Sequence, residues 1–254
     1  PGTLVMSTLV IDIAAIPDVV LGAKLYGLHD LSDKDITRVM YTKSREKDIS
    51  PETLELHLQK VLAISLLIQD EESFKIIALG DRHSSEPDLL AQLQQQIEHH
   101  HPALITWNGT RSVLPLLQYR YFSNCIQTPF KNGIKHTDLK NELTANEYQS
   151  GMTLHEAALL AGFPGKPQMT PAATLDAWLA GNIEQIRNDR LVNVVNVWLV
   201  YQRLRFIHSE IDLVGMKVEQ QQLQQALVST GIPQLAQLMK EDGMEAGIHL
   251  VDEN

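Results

Sequence analysis

The chain has 254 residues, of which 44% are hydrophobic and 20% are charged. This composition is typical of a folded globular protein, and no apolar run approaches the roughly 18–20 residues that cross a bilayer, so we expect no membrane association. The formal net charge of −10 means that the chain as a whole does not attract nucleic acid or anionic lipid, although a local basic patch still would.

The first half of the chain predicts an α/β fold. Residues 8–16, TLVIDIAAI, favour a buried strand that Pro17 ends, and we expect a polar loop after it. The other predicted strands are 61–69 and 73–80, which form an antiparallel hairpin, 103–108, and a weaker strand at 136–139. Helices are predicted at 32–40, 84–101 and 113–124. This order indicates a mixed sheet flanked by helices.

The second half of the chain predicts helices throughout. Thr153 and Glu156 have the spacing of a capping box, and Thr170 followed by Pro171 marks another helix start. A long helix is predicted at 182–209, and further helical segments follow it. We therefore expect one domain over residues 7–208 with a helical C-terminal extension, residues 209–254, packed on it.

Three motifs invite a catalytic interpretation that their spacing does not support. Consecutive helical residues point about 100° apart, so His99, His100 and His101 cannot converge on one metal ion, and a solvated helix end is the better interpretation. The glycines and lysine of residues 162–168 lack phosphate-loop spacing, and no G-x-S-x-G is present. The single cysteine, Cys125, is expected to be a buried thiol. Because one cysteine cannot form an internal disulfide, the sequence favours a reducing cytoplasm.

A spread-out set of polar residues is more informative. Asp12 is a lone carboxylate inside the first strand, and Asp189, Asn193 and Asn196 form a narrow polar stripe on the otherwise apolar long helix. Polar groups placed in this way either bond to each other internally or face a cleft. Spacing alone favours neither alternative.

Several segments, in order, resemble a known family. They are DIAAIPD, LHLQKVLAIS, ALGD, TWNGTRSVLPLLQYR, HTDL, LAGFPGKPQM and IRNDRLVNVVNVWLVYQRLRF. Together, over residues 8–208, they resemble the predicted 3′–5′ exonucleases related to the proofreading domain of family B DNA polymerases. These are DEDD-type nucleases, and the resemblance implies an RNase H-like fold.

The resemblance also implies a site, most of whose carboxylates are missing from this chain. Four carboxylates in the family hold two Mg²⁺ or Mn²⁺ ions about 4 Å apart, which activate water and stabilise the leaving oxygen. Here Asp12 is retained, but Ala14, Val113 and Asn193 stand at the other three positions, with Asp189 at the place of a water-orienting Tyr. Since Mg²⁺ requires anionic oxygen ligands, we expect no metal cofactor, or at most one weak ion on Asp12 assisted by Asp189 or Asp138.

The functional prediction is an exonuclease-like pseudoenzyme that binds single-stranded DNA or RNA, or a protein partner, without cutting. The alternative is an active metal-dependent 3′–5′ exonuclease with an atypical site, and a third possibility is a purely structural interaction module. Candidate nucleic-acid-binding residues are Trp107, Asn108, Arg111 and Lys166, with Lys131, Lys135 and Tyr119 as further candidates.

Overall fold

The computed structural model of the protein describes residues 7–46, 54–70, 73–130, 133–145 and 151–238. At its centre is a five-stranded sheet with the order β3-β2-β1-β4-β5. The strands are β1 (Thr8–Pro17), β2 (Gln59–Asp70), β3 (Ser73–Ala78), β4 (Ala103–Thr106) and β5 (His136–Asp138). Strand β2 is antiparallel to both of its neighbours, β1 and β3, whereas β1, β4 and β5 run parallel to one another. The predicted hairpin and mixed sheet are confirmed.

Helices cover both faces of this sheet. They are α1 (Val19–Tyr26), α2 (Asp33–Arg45), α3 (Glu86–His100), α4 (Val113–Ser123), α5 (Leu139–Leu143), α6 (Leu154–Leu160), α7 (Pro171–Leu179), α8 (Ile183–Ile207), α9 (Leu213–Ser229) and α10 (Pro233–Gln237), with a 3₁₀ turn at Leu56–Leu58. The predicted caps are confirmed, because the Thr153 and Thr170 side chains accept hydrogen bonds from Glu156 N and Ala173 N. The fold is therefore the predicted α/β class.

The two faces of the sheet bury separate cores because side chains alternate along each strand. Leu9, Ile11 and Leu104 pack toward α3 and α4. Val10 and Ile105 pack on the other face against α8. Every residue of α8 from Asp189 to Val200 is buried, since the sheet lies on one side of this helix and α6, α7 and α9 contact it elsewhere.

The polar loop expected after Pro17 is wrong, because the chain forms helix α1 there. The Asp18 carboxylate caps this helix by accepting from Leu21 N at 3.1 Å, and Gly27 ends it in a left-handed conformation. Gly22 made the segment look like a loop. Its role is close packing, because a Cβ at this position would collide with the Met40 side chain of α2.

The expected burial of Cys125 is also wrong. Helix α4 ends at Ser123, and Cys125 lies beyond it with a positive φ of 54°, so the residue does not continue the buried face of the helix. Its thiol is exposed. The histidines at the end of α3 do form a helix terminus, with His101 as the left-handed cap.

A closed cluster of charge joins four elements on the α3 side of the sheet. The Arg120 guanidinium donates to both Glu86 oxygens at 2.8 and 2.7 Å and lies 2.9 Å from an Asp18 oxygen. Glu86 also accepts from Val61 N at 2.6 Å. The three charged side chains are between 6% and 10% exposed, so this cluster stabilises the fold from inside.

Polar side chains attach α9 to the rest of the molecule. Glu219 accepts from Gln202 and Arg205 of α8, both at 2.9 Å, and from Gln69 of β2 at 3.1 Å. The domain boundary at residue 208 stays a prediction, and residues 239–254 lie outside the described part. Among the described residues, no helix combines the length and apolar composition that crossing a membrane demands.

Candidate functional site

A cavity of about 380 Å³ opens beside the middle of β1 and the carboxyl end of β4. Residues 11–15 of β1 form one wall, and Trp107 and Asn108, which follow β4, form another. Segments 151–154 and 168–174 and the Arg190 side chain of α8 complete it. The volume is within the range of about 300–1,000 Å³ that is usual for ligand sites.

Asp12 projects from β1 into this cavity, and α8 supplies both of its partners. Nδ2 of Asn193 donates to an Asp12 oxygen at 2.9 Å, and an Arg190 nitrogen lies 3.4 Å from the same oxygen. Burial raises the pKa of Asp12, and the Arg190 charge and the Asn193 hydrogen bond oppose this rise without cancelling it. The Asp12 side chain is 17% exposed, so it still meets the cavity.

Asp189 lies behind the cavity wall, and both of its carboxylate oxygens have partners. Its carboxylate accepts from Lys166 Nζ at 2.6 Å and from Met169 N at 3.3 Å, and it contacts the Arg190 guanidinium directly. Arg190 thus connects both carboxylates of the site. The positive charges that balance Asp12 and Asp189 come from the protein itself.

Both explanations of the polar stripe on α8 apply, each to different residues. Asn196 bonds internally, donating to Val192 O at 3.1 Å, whereas Asn193 reaches Asp12 at the cavity. Within the described residues, the side-chain oxygens of both asparagines and Nε of Arg190 are buried without a hydrogen-bond partner. The stripe is therefore polar but incompletely satisfied.

The residues at this site do not fit a pair of divalent cations. Ala14 and Val113 line the cavity without an oxygen ligand, and Asn193 offers only a neutral amide. The two carboxylates already hold Arg190 and Lys166. Among the described residues, no group of three or more His, Cys, Asp or Glu side chains is placed to hold a metal ion. Such a donor set is poor for Mg²⁺, which takes anionic oxygens in octahedral array.

Asp138 does not supply the missing carboxylate, because its oxygens hold a turn of the cavity wall. They accept from Asn108 N and Thr110 N, both at 2.9 Å, and from Lys140 N at 3.2 Å. Asn108 has a φ of 56°, and Gly109 is packed so closely on Thr106 that a Cβ would collide with it. Asp138 thereby fixes where Trp107 and Asn108 stand.

The predicted nucleic-acid-binding residues divide into two groups. Trp107 and Asn108 line the cavity. Lys166 and Arg111 do not line the cavity. Lys166 pairs with Asp189 behind the cavity wall, and Arg111 is exposed on the surface. Among the further candidates, Tyr119 is exposed beside His57, Lys135 is also exposed, and Lys131 lies outside the described residues.

The structure adds two cationic residues that the sequence analysis missed. Arg190 and Lys140 both line the cavity, where Asp12 is the one carboxylate among its described lining residues. No local pattern marks either residue, although Arg190 directly follows Asp189 and Lys140 directly follows the HTDL segment. The cavity wall therefore carries more positive than negative charge.

The sheet order β3-β2-β1-β4-β5, with β2 antiparallel and β4 parallel to β1, is that of an RNase H-like fold. In structure, the chain is similar to the family B DNA polymerase from the hyperthermophilic archaeon Pyrobaculum calidifontis, with a TM-score of 0.52 and 11% sequence identity. The similarity covers 90% of this chain and 29% of the polymerase chain. At this identity it shows the fold alone. No curated protein sequence matches the chain.

The family model described as predicted 3′–5′ exonuclease related to the exonuclease domain of PolB matches residues 52–241. The chain belongs to this family. Strand β1, with Asp12 and Ala14, precedes the matched segment, whereas Val113, Asp189 and Asn193 lie inside it.

Proposed function

We propose that the protein is a catalytically inactive, exonuclease-like module that binds the end of a single-stranded nucleic acid in the cavity without a metal ion. The observation that carries this proposal is the pairing of both site carboxylates with Arg190 and Lys166. Protein cations stand where a two-metal nuclease needs free anionic oxygens. Family membership and the RNase H-like fold support nucleic acid as the ligand class.

The cavity wall offers suitable chemistry for one terminal nucleotide. Lys140 supplies a positive charge for phosphate, and Trp107 supplies an aromatic face on which a base can stack. Asn108 adds an amide for hydrogen bonds to a base or sugar. We place this activity in the reducing cytoplasm, in agreement with one exposed thiol that has no partner cysteine.

Binding is tested by fluorescence anisotropy with a labelled 12-nucleotide oligo-dT in EDTA at about 20 mM salt, where phosphate attraction is strong. We expect measurable binding that Trp107→Ala weakens by roughly 5- to 150-fold, the effect of losing about 1–3 kcal/mol of stacking. Tyr119→Ala is the matched control, because this exposed aromatic residue lies outside the cavity lining and should leave affinity unchanged. Absence of binding by the unmodified chain would contradict the proposal.

Inactivity is tested separately with 3′-labelled single-stranded DNA and millimolar Mn²⁺. We expect no nucleotide release, and no rise in the melting temperature when Mn²⁺ replaces EDTA. Manganese-dependent digestion that Asp12→Ala abolishes would establish the alternative, an active exonuclease with an atypical site.

A further inference from the structure

A second depression, of about 270 Å³, lies between α2 and α7. Helix α2 contributes Lys34, Thr37, Arg38 and Tyr41 to it, and α7 contributes Leu175 and Leu179. We call this depression the α2–α7 groove. It shares no lining residue with the cavity at Asp12.

The groove is positively charged although the chain as a whole carries −10. Lys34 and Arg38 lie one helical turn apart on α2 and both are exposed. Arg45 is a third cation of the lining, and Asp176 is the one carboxylate among the described lining residues. The Arg38 contact with Asp35, at 3.3 Å, joins side chains that are 70% and 47% exposed, so it is weak and easily exchanged.

The groove also contains a hydroxyl without a partner. Thr37 is only 5% exposed, it lines the groove, and within the described residues its Oγ1 makes no hydrogen bond. The oxygen itself is closed to solvent, so the exposed cations of α2 are the groups that can reach a ligand in the groove. Lysine and arginine are prominent among the side chains that contact phosphate oxygens in nucleic-acid complexes.

Helix α7 borders both the cavity and the groove. Thr174 of α7 lines the cavity, and the next residue, Leu175, lines the groove. A helix is only about 10–12 Å across, so a chain held in the cavity can pass over α7 into the groove. Leu175 and Leu179 provide apolar contact for sugars or bases beside the cations of α2.

We propose that the α2–α7 groove binds the sugar–phosphate backbone of the single strand whose end occupies the cavity, with Lys34 and Arg38 contacting phosphate. This inference rests on the proposed function and extends it, because it assigns the nucleotides beyond the terminal one to a separate surface. A short ligand would use the cavity alone. A longer ligand would use both.

Anisotropy measurements with labelled oligo-dT of two and of 12 nucleotides test the groove. The charge reversal Lys34→Glu/Arg38→Glu should weaken binding of the 12-mer at least 10-fold and reduce its log–log salt slope by about 1.4, since each lost phosphate contact removes about 0.7 for single strands. Binding of the dinucleotide should change by less than twofold. The control Lys75→Glu/Lys217→Glu changes the net charge equally on β3 and α9 and should leave the 12-mer affinity within twofold.

Each other outcome has a definite meaning. If both charge reversals weaken the 12-mer equally, or if neither does, the groove is not a phosphate site, and the cavity proposal still stands on the Trp107→Ala result. If the unmodified chain binds neither oligonucleotide, the proposed function fails and the groove assignment fails with it. Circular dichroism of each variant checks that the fold is intact, and Lys34→Gln/Arg38→Gln supplies a second pair without added negative charge that should weaken only the 12-mer.

Discussion

Two clusters of buried charge in this molecule each pair one arginine with two carboxylates, but they differ in their surroundings. In the first cluster, Arg120 holds Glu86 in a bidentate pair and also contacts Asp18, and none of these three residues lines the cavity at Asp12 or the α2–α7 groove. In the second, Arg190 lies between Asp12 and Asp189 at the wall of a cavity and keeps a buried Nε without a partner in the described structure. The comparison teaches that complete satisfaction marks a charge cluster that supports the fold, whereas incomplete satisfaction beside a cavity marks a candidate site.

Loss of Arg120 should give the largest effect. Arg120→Met leaves two buried carboxylates without their cation, so we expect the free energy of unfolding to fall by about 3–5 kcal/mol. Urea denaturation measures this change. Adding Glu86→Gln should recover part of the loss, and a loss below about 1 kcal/mol would show that the cluster is not structural.

Loss of Arg190 should cost less. In Arg190→Met, Asp189 keeps Lys166 and Asp12 keeps Asn193, so we expect a loss of about 2 kcal/mol in the same assay. A loss as large as that of Arg120→Met would remove the distinction between the two clusters.

Loss of Lys166 should be smaller again. Its side chain is 39% exposed, so water can reach the edge of the pair, and Asp189 retains Arg190. We expect Lys166→Met to lower the free energy of unfolding by about 1 kcal/mol. If Lys166→Met destabilises more than Arg190→Met, then Lys166 is the principal counterion of Asp189.

The smallest predicted effect is a pH dependence. Because the pKa of Asp12 is raised in the folded state, its contribution to stability is complete below the unfolded value of about 3.9 and is lost as pH rises through the folded value. The stability of the unmodified chain minus that of Asp12→Asn should therefore decline with rising pH from about 4 and then become constant. Urea denaturation at several pH values measures this difference, and an increase with pH would mean that Arg190 and Asn193 outweigh burial.

Much of the fold could be predicted from local sequence. Apolar strands, the Thr153 and Thr170 caps and the long apolar helix each carry a signal that tertiary contacts did not override. Helix α1 was not predictable in this way, because Gly22 serves a contact with Met40 that lies elsewhere in the chain. Cys125 was mispredicted because the helix ends just before it.

The site was predictable only in part. The structure brings Ala14 and Val113 to the cavity of Asp12, with Asn193 bonded to that carboxylate. Arg190 escaped prediction, since an arginine one position after Asp189 does not reveal how far its flexible side chain reaches. Its contact with Asp12 depends on how closely α8 packs on β1, which no local pattern states.

The enclosure of α8 has a consequence for recognition. Because the sheet and other helices surround α8, Arg190 and Asn193 are buried and lose much of their side-chain freedom when the chain folds. Little side-chain entropy is then lost on association, because the ordering has been completed during folding. Under the proposed function, the single strand would therefore meet side chains of α8 that folding has already ordered.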